Sequence, residues 1–249
     1  MRSPFARGVG GVLSADIAVP EHDRELRFYS RILTTGSTPL WRDDLTNNRG
    51  TPVIGLGERS PEYDALPLQW MPHIQVSDVG ASAARAVELG GSEIMHGKND
   101  AGESQWAVLV DPAGAAFGLV AVVGAEFEVA YQADGSGCVS WLTLVVSDVG
   151  SACEFYEAVV GWSKVPAATD GGFEMVRPDG GSSAEIVPDQ GEHARIPPVW
   201  ILSLLVDDLA ESLHRVCGGD GEVIAEFAGR AVIRDPVGVC IGLQGRGDG

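Results

Sequence analysis

Long hydrophobic runs and basic residues are both scarce in this sequence of 249 residues. The most apolar stretches, Val139 to Val146 and Trp200 to Val206, are only about eight residues long, whereas a membrane helix needs roughly 20. Seventeen Lys and Arg residues against 35 Asp and Glu give a formal charge of −18, which repels phosphate backbones and anionic lipid surfaces. We therefore expect no membrane span and no nucleic-acid partner.

Cysteines and export signals are limited as well. The four cysteines are too few and too irregularly spaced for a disulfide framework or a zinc knuckle, so buried reduced thiols are expected. The segment Met1 to Arg7 carries charge, but no apolar h-region or small-residue cleavage site follows it. These features predict a cytoplasmic protein.

The sequence does contain an internal repeat. Trp70 to Val79 aligns with Trp200 to Leu209 at an offset of 130 residues. Asp111-Pro-Ala-Gly114 aligns with Asp235-Pro-Val-Gly238 at an offset of 124. Repeats of this kind indicate two similar halves, and each half holds two strand–helix starts, which makes four modules of roughly 50 to 60 residues.

Each module is predicted to be a strand, a helix and three further strands. In the third module, Val139 to Val146 is a strand pattern that is closed by a turn at Ser147-Asp148. A helical apolar stripe follows, and Gly161 is placed to end it. The stripe consists of Ala152, Phe155, Tyr156, Val159 and Val160, and the other modules carry Phe28, Tyr29, Ile32 and Leu33, or Ala83, Ala86 and Val87, or Leu209, Leu213 and Val216. The later strands of the second module are expected at Glu93 to Met95, Gln105 to Val110 and Ala115 to Val123.

This pattern predicts an α+β fold of four βαβββ modules paired into two domains. The polar, glycine-containing segment Glu126 to Ser136 is the natural connection between them. We expect a first domain over residues 1–130 and a second over residues 131–249.

The paired βαβββ modules resemble the vicinal-oxygen-chelate superfamily, which includes glyoxalases, bleomycin-resistance proteins and dioxygenases, in its tandem two-domain form. Two motifs carry the resemblance: the order strand, Asp, helical Phe-Tyr and Gly-Trp over Val145 to Trp162, and the Asp-Pro-x-Gly turn before the last strand. The resemblance covers nearly the whole chain. It implies that two modules curl into a cup around a substrate, and that the first and last strands present His or Glu to a divalent metal.

Counting from the motifs of this superfamily identifies the positions where its members carry metal ligands. Those positions are Ser14, Met71, Trp141 and Ile201 on first strands, and Gly118 and Gly242 on last strands. None of them supplies the imidazole or carboxylate that a divalent ion requires. We therefore expect neither a metal nor another cofactor.

The first cup nevertheless contains titratable residues. Side chains alternate along a strand, so residues two and four beyond a cleft-facing position also face the cleft, which selects Asp16, His73 and Gln75. We expect Ser14 to face Met71, with Asp16 and His73 one step further along. A carboxylate and an imidazole so placed can act as general base and acid, whereas a structural hydrogen-bonding role is the alternative.

The same count in the second cup finds no titratable group, because it selects Trp141, Thr143, Ser203 and Leu205. Trp106 and Trp141 are candidates for a flat aromatic wall, while Trp70 and Trp200 should lie in the core. The candidate ligand contacts are Ser14, Met71, Gln75, Trp106, Gly118, Trp141, Thr143, Ile201 and Ser203. Surface or loop positions are expected for His22, His96, His193 and His214.

Several functions remain open. One is a metal-independent protein of the resistance type, which sequesters a bulky or aromatic small molecule in a cleft. Another is a metal-independent enzyme of secondary metabolism, a lyase, isomerase, cyclase or hydroxylase-like protein, with Asp16 and His73 as its acid–base pair. A regulatory or structural protein with vestigial clefts is the third. The sequence leaves assembly into a homo-oligomer open.

Overall fold

The computed structural model describes residues 4–33, 54–124 and 138–246. The predicted domain boundary at residue 130 and the connection Glu126 to Ser136 lie outside these ranges. No helix within the described ranges is both long and apolar enough to cross a bilayer.

The described residues of the first half form a sheet of six strands. Its elements are β1 (Val12–Val19), α1 (His22–Ile32), β2 (Gly55–Glu58), β3 (Met71–Val76), α2 (Val79–Glu88), β4 (Ser92–Lys98), β5 (Ser104–Val110) and β6 (Ala116–Ala121), with a 3-10 turn at Pro61–Tyr63. The strand order is β2-β1-β3-β6-β5-β4. The first strands of the two modules, β1 and β3, pair antiparallel at the centre, and each pairs in parallel with the last described strand of its own module.

The second half forms a sheet of eight strands on the same plan. Its elements are β7 (Val139–Val146), α3 (Val149–Val160), β8 (Ser163–Pro166), β9 (Phe173–Val176), β10 (Ser182–Pro188), β11 (Trp200–Val206), α4 (Leu209–Cys217), β12 (Glu222–Phe227), β13 (Arg230–Arg234) and β14 (Cys240–Gly245), with a 3-10 turn at Gly191–His193. The strand order is β12-β13-β14-β11-β7-β10-β9-β8. The two sheets confirm the predicted α+β class and the pairing of modules.

Aspartates at the strand ends begin three of the four helices. The side chains of Asp78, Asp148 and Asp208 each accept a hydrogen bond from a backbone N–H three residues later, at 2.9 Å. Such a cap satisfies a donor that the first helical turn leaves open. The third helix ends as predicted, because Gly161 takes the left-handed conformation with φ 76°.

The main hydrophobic core lies between the sheets and the helices and continues from one half into the other. Trp70 and Trp200 are both buried in it, which confirms their predicted place. Two expectations fail: Val87 is 49% exposed although it was assigned to the apolar stripe of α2, and Cys217 is exposed although buried thiols were expected. In each case the preceding residue, Ala86 or Val216, is fully buried, so Val87 and Cys217 lie one step round the helix, outside the face that packs on the core.

The helices of opposite halves pack against each other, α1 on α4 and α2 on α3. Two buried hydrogen bonds repeat across this interface. The Tyr29 hydroxyl donates to Asp235 Oδ2 at 2.8 Å, and the Tyr156 hydroxyl donates to Asp111 Oδ2 at 3.0 Å. Each aspartate opens an Asp-Pro-x-Gly turn, and its Oδ1 accepts two backbone N–H groups of that turn. Each half therefore completes the closing turn of the other.

The two sides of the interface differ at one position. Glu25 lies three residues before Phe28 and is fully buried, whereas the corresponding residue of α3, three before Phe155, is Ala152. Burial, followed by the nearby Asp235 carboxylate, raises the pKa of Glu25 to about 9. Glu25 is therefore protonated at neutral pH and can donate to Asp235.

Candidate functional site

The strongest chemical feature of the first cup is a contact between Asp16 and His73. Asp16 Oδ2 lies 3.0 Å from His73 Nε2, which is within ion-pair distance but outside hydrogen-bond geometry. The side chain of Asp16 is about half exposed, at 49%, while that of His73 is 16% exposed. The structure thus brings together the two residues that were proposed from the sequence.

The predicted register of the two strands was wrong by one step. Asp16 pairs with Met71, and Ser14 pairs with His73, so the contact between Asp16 and His73 is diagonal. Because β1 and β3 run antiparallel, a step forward along one strand is a step back along the other, so the two expected pairs cannot both lie directly opposite. Diagonal neighbours remain within reach of long side chains.

Glycine at position 118 makes room for the histidine. Gly118 pairs with His73 on the neighbouring strand, and a Cβ at position 118 would collide with the imidazole ring. Ser203 and Gly242 have the same relation in the second cup, where a Cβ would lie 2.7 Å from Ser203 Oγ. The side chains of His73 and Ser203 therefore cover the two glycines, and the predicted ligand contact of Gly118 is made by its neighbour.

Gln75 has a structural role in place of the predicted ligand contact. It is fully buried, and its Nε2 donates to the carbonyls of Ala6 and Gly11 at 2.6 and 3.2 Å. Its Oε1 accepts the backbone N–H of Val123 at 3.2 Å. The amide thus joins the N-terminal segment to the end of the sheet and has no remaining acceptor directed at the cup.

The remaining first-cup candidates differ in their surroundings. Met71 is buried in an apolar cluster with Leu66, Val108 and Ala116, and Ser14 is exposed. Trp106 lies on the same face of β5 as Val108, is 40% exposed, and covers Gly97 on the neighbouring strand. Of these residues, Trp106 offers the most accessible aromatic surface.

The donor set does not fit the metal of the superfamily. No group of three or more His, Cys, Asp or Glu residues converges on a possible metal position in residues 4–33, 54–124 and 138–246. Asp16 and His73 are two donors, and the His73 ring occupies the space that a ligating side chain at position 118 would need. A structural or catalytic zinc ion is held by at least three protein ligands.

An open cleft of about 440 Å³ lies in the second cup. Its walls are mostly apolar, with Val145, Val187, Ile196, Ile201 and Val232 among the residues that line it. Three of the predicted contacts line it as well, namely Thr143, Ile201 and Ser203. Trp141 shares its strand face with Thr143 but does not line this cleft.

One carboxylate projects into this cleft from β10. Glu185 pairs with Thr143 on β7, and its Oε1 accepts a hydrogen bond of 2.6 Å from the Thr169 hydroxyl. All three residues line the cleft.

Aromatic and basic side chains stand on the opposite wall. The rings of His193 and Phe227 are 5.1 Å apart with an interplanar angle of 33°, and the Arg230 guanidinium lies 5.7 Å from the Phe227 ring centroid. Burial lowers the pKa of His193, and the nearby Arg230 charge lowers it further, against opposing contributions from Glu192 and Glu185. His193 is therefore mostly neutral at pH 7.

Sequence reasoning missed the residues that give the second cup its polarity. His193 was assigned to a surface or loop, and Glu185, Phe227 and Arg230 were not considered. The counting rule relied on Asp-Pro-x-Gly, and the third module has Pro178-Asp179-Gly180 in that place, so its last strand was never searched. The alternation of Ser183, Glu185 and Val187 on a predicted strand was the available signal.

Comparisons with known proteins agree with this architecture. Residues 14–120 match the sequence profile of the family described as "Glyoxalase-like domain". An extradiol ring-cleaving dioxygenase from B. fuscum superposes with a TM-score of 0.56 at 13% identity, over 98% of this chain and 73% of the dioxygenase. The first half of the chain thus matches a glyoxalase-like domain, in agreement with the resemblance of the repeated modules to the vicinal-oxygen-chelate superfamily. The likeness to the dioxygenase concerns the fold alone.

Two sequence relatives come from actinobacteria. The anthracycline biosynthesis protein DnrV of Streptomyces peucetius is 28% identical over 185 residues, which are 71% of this chain and 66% of DnrV. CFP32 of Mycobacterium tuberculosis, which carries the name of a glyoxylase, is 31% identical over 117 residues, 43% of this chain and 45% of CFP32. The alignments thus span less than two thirds of each relative.

Proposed function

We propose that this protein binds a small aromatic organic molecule in the cleft of the second cup, without a metal, in the manner of a sequestering or resistance protein. The observation that carries this proposal is the cleft itself. It is open to solvent, and apolar walls with a few placed polar groups are typical of small-molecule sites. The lack of a converging donor set among the described residues supports the metal-independent part.

The names of the relatives support a flat, fused-ring ligand. DnrV, and likewise DauV of a Streptomyces strain, are named as anthracycline biosynthesis proteins. An anthracycline is built around an anthraquinone, a planar ring system whose faces suit apolar walls such as those of Val145, Ile201 and Val232.

Equilibrium dialysis with 2-methylanthraquinone tests this function. We expect saturable binding of one ligand per chain, the same affinity with and without EDTA, and recovery of the ligand chemically unchanged. Loss of binding in EDTA would contradict metal independence, and a changed ligand would contradict sequestration.

A second candidate function is favoured by the contact between Asp16 and His73. A carboxylate 3.0 Å from an imidazole in a cup can move a proton to or from a bound substrate. In such an enzyme Asp16 would orient or accept the proton of His73, and His73 would act on the substrate.

The two functions differ in what substitutions at this pair should do. An acid–base enzyme should lose roughly a hundredfold or more in turnover with Asp16→Asn or His73→Gln, with little change in binding. A sequestering protein should show no turnover before or after the substitution. Product analysis by chromatography, run beside the dialysis assay, decides between them.

A further inference from the structure

Glu185 occupies a position that is glycine in the other three modules. In each module the last described strand pairs in parallel with the first, and the four pairs correspond in register. The pairs are Asp16 with Gly55, His73 with Gly118, Ser203 with Gly242, and Thr143 with Glu185. Of the four modules, the third alone has a side chain at this position, and that module belongs to the second cup.

The surroundings of Glu185 leave its charge available to a ligand. Thr169 donates to Oε1, and no basic side chain of the described ranges forms an ion pair with this carboxylate. The neighbouring wall residues Val145, Val187 and Ile201 are apolar. A carboxylate beside apolar walls loses its bound water when a ligand covers it. A ligand therefore binds well only if it donates a hydrogen bond to the carboxylate in place of that water.

The opposite wall has the opposite character. Arg230 lies on β13, which three strands separate from β10, so the guanidinium and the Glu185 carboxylate stand on different sides of the cleft. Phe227 also lines the cleft here, with the guanidinium over its ring, and adds aromatic surface to this wall. The cleft is therefore polarised, with an acceptor on one wall and a cationic, aromatic surface on the other.

We propose that the second cup selects flat aromatic ligands with a hydrogen-bond donor at one end, a hydroxyl or an ammonium group, which donates to Glu185 while the ring system stacks against Phe227. This inference rests on the proposed binding function and adds a rule of selectivity to it. Acceptor groups of the ligand, such as quinone carbonyls, point towards Arg230. Thr169 is a positioning residue that fixes the Glu185 carboxylate.

Three probes with one ring system isolate the donor. They are 2-methylanthraquinone, 2-hydroxyanthraquinone and 2-(aminomethyl)anthraquinone, measured by calorimetry at pH 6 so that the phenol is neutral and the amine charged. At least one donor-bearing probe should bind about tenfold or more tightly than the methyl probe, because a hydrogen bond to a charged group is lost without the donor. The probe that gains more identifies the hydroxyl or the ammonium group as the preferred donor.

Substitutions then assign the effect to Glu185. Glu185→Leu should remove the donor preference and leave methyl-probe affinity within about threefold, while Glu185→Gln should keep part of a hydroxyl preference and lose an ammonium preference. Thr169→Val should weaken donor-bearing probes by a smaller factor, and Phe227→Leu should weaken all three probes equally. Glu154→Gln, the same change on the exposed face of α3, is the matched control and should alter nothing.

The outcomes separate this inference from the proposed function. If the methyl probe binds and neither donor-bearing probe binds more tightly, or if Glu185→Leu weakens all probes alike, the selectivity rule is overturned and the binding function stands. If no probe binds the unmodified protein, the binding function fails and the inference fails with it.

Discussion

The two cups are built on one plan but differ in the chemistry of corresponding positions. The first cup has Asp16 and His73 where the second has Thr143 and Ser203. The second cup has a carboxylate, Glu185, where the first has a glycine, Gly55. The scaffold thus fixes where functional side chains stand, while each cup acquires its own set, and function follows the set rather than the fold.

The interface between the halves has diverged less than the cups. Both sides keep a tyrosine that donates to the aspartate of the opposite closing turn. The two sides differ in their neighbouring groups. The Glu25 carboxyl lies on the side of Tyr29, and on the side of Tyr156 the Trp200 indole Nε1 donates to the tyrosine hydroxyl at 2.9 Å. Each of these contacts joins one half to the other, so a change on one side alone would leave a buried partner without its hydrogen bond.

The largest expected difference is in ligand affinity, when a tryptophan is introduced into one cup or into the other. Thr143→Trp should place an indole in the second-cup cleft and reduce anthraquinone affinity by a hundredfold or more, about 2.7 kcal/mol. Asp16→Trp at the corresponding first-cup position should change the same affinity less than twofold. Dialysis measures both, and a larger loss with Asp16→Trp would place the ligand in the first cup.

Removing each interface hydroxyl should produce unequal losses of stability. Tyr156→Phe leaves both Asp111 and the Trp200 N–H without a partner and should lower the free energy of unfolding by about 3 kcal/mol. Tyr29→Phe should cost about 1 kcal/mol, because protonated Glu25 can still donate to Asp235. Urea unfolding at pH 7 compares them, and equal losses would show that Glu25 does not compensate.

The pH dependence of stability should differ between the two sides because only one carries a buried glutamate. Folding raises the pKa of Glu25 to about 9, so the folded state holds a proton that the unfolded chain releases above about pH 4.5. The free energy of unfolding should therefore fall as pH rises from about 5 to 9, by up to about 1.4 kcal/mol per pH unit.

Glu25→Gln should flatten this slope, since the amide is neutral at every pH and can still donate to Asp235. Around the carboxyl, Tyr29, Arg24 and Glu21 are the other groups that influence its titration. Denaturant unfolding at several pH values gives the slope, with Glu154→Gln on α3 as the control. An unchanged slope in Glu25→Gln would assign the pH dependence to other groups.

The smallest effect is expected at the first-cup pair. Asp16 is about half exposed, so Asp16→Asn should change the free energy of unfolding by less than about 1 kcal/mol. Thermal unfolding at low and high salt measures it. A larger loss would mean that the pair with His73 holds the two central strands together, which would favour a structural role over a catalytic one.

The sequence predicted the order of strands and helices in the described parts of the modules, because local signals determine it. The apolar stripe and Gly161 located the third helix, and the segments around Gln105 to Val110 located the strands of the second module. The pairing of Asp16 with His73 also followed from simple alternation along β1 and β3. These inferences depend on residues close together in the chain.

Features that depend on distant parts of the chain could not be predicted in this way. The register of the first cup is set by the pairing of β1 with β3, which are distant in the chain, and the burial of Gln75 depends on a segment that packs from the N-terminus. Glu185 and Arg230 belong to different modules and meet the same cleft only through the order of five strands. No spacing rule within one module contains that information.

The tyrosine–aspartate contacts require two halves, because neither half can satisfy them alone. Tyr29 and Asp111 lie in the same half, yet each finds its partner in the other half, so an isolated half would expose Tyr29 on α1 and Asp111 in its closing turn. Two identical halves would satisfy each other, Tyr29 of one copy with Asp111 of the second. Joining two halves in one chain allows the halves to differ in sequence. One cup can then specialise while the other keeps a different set of side chains.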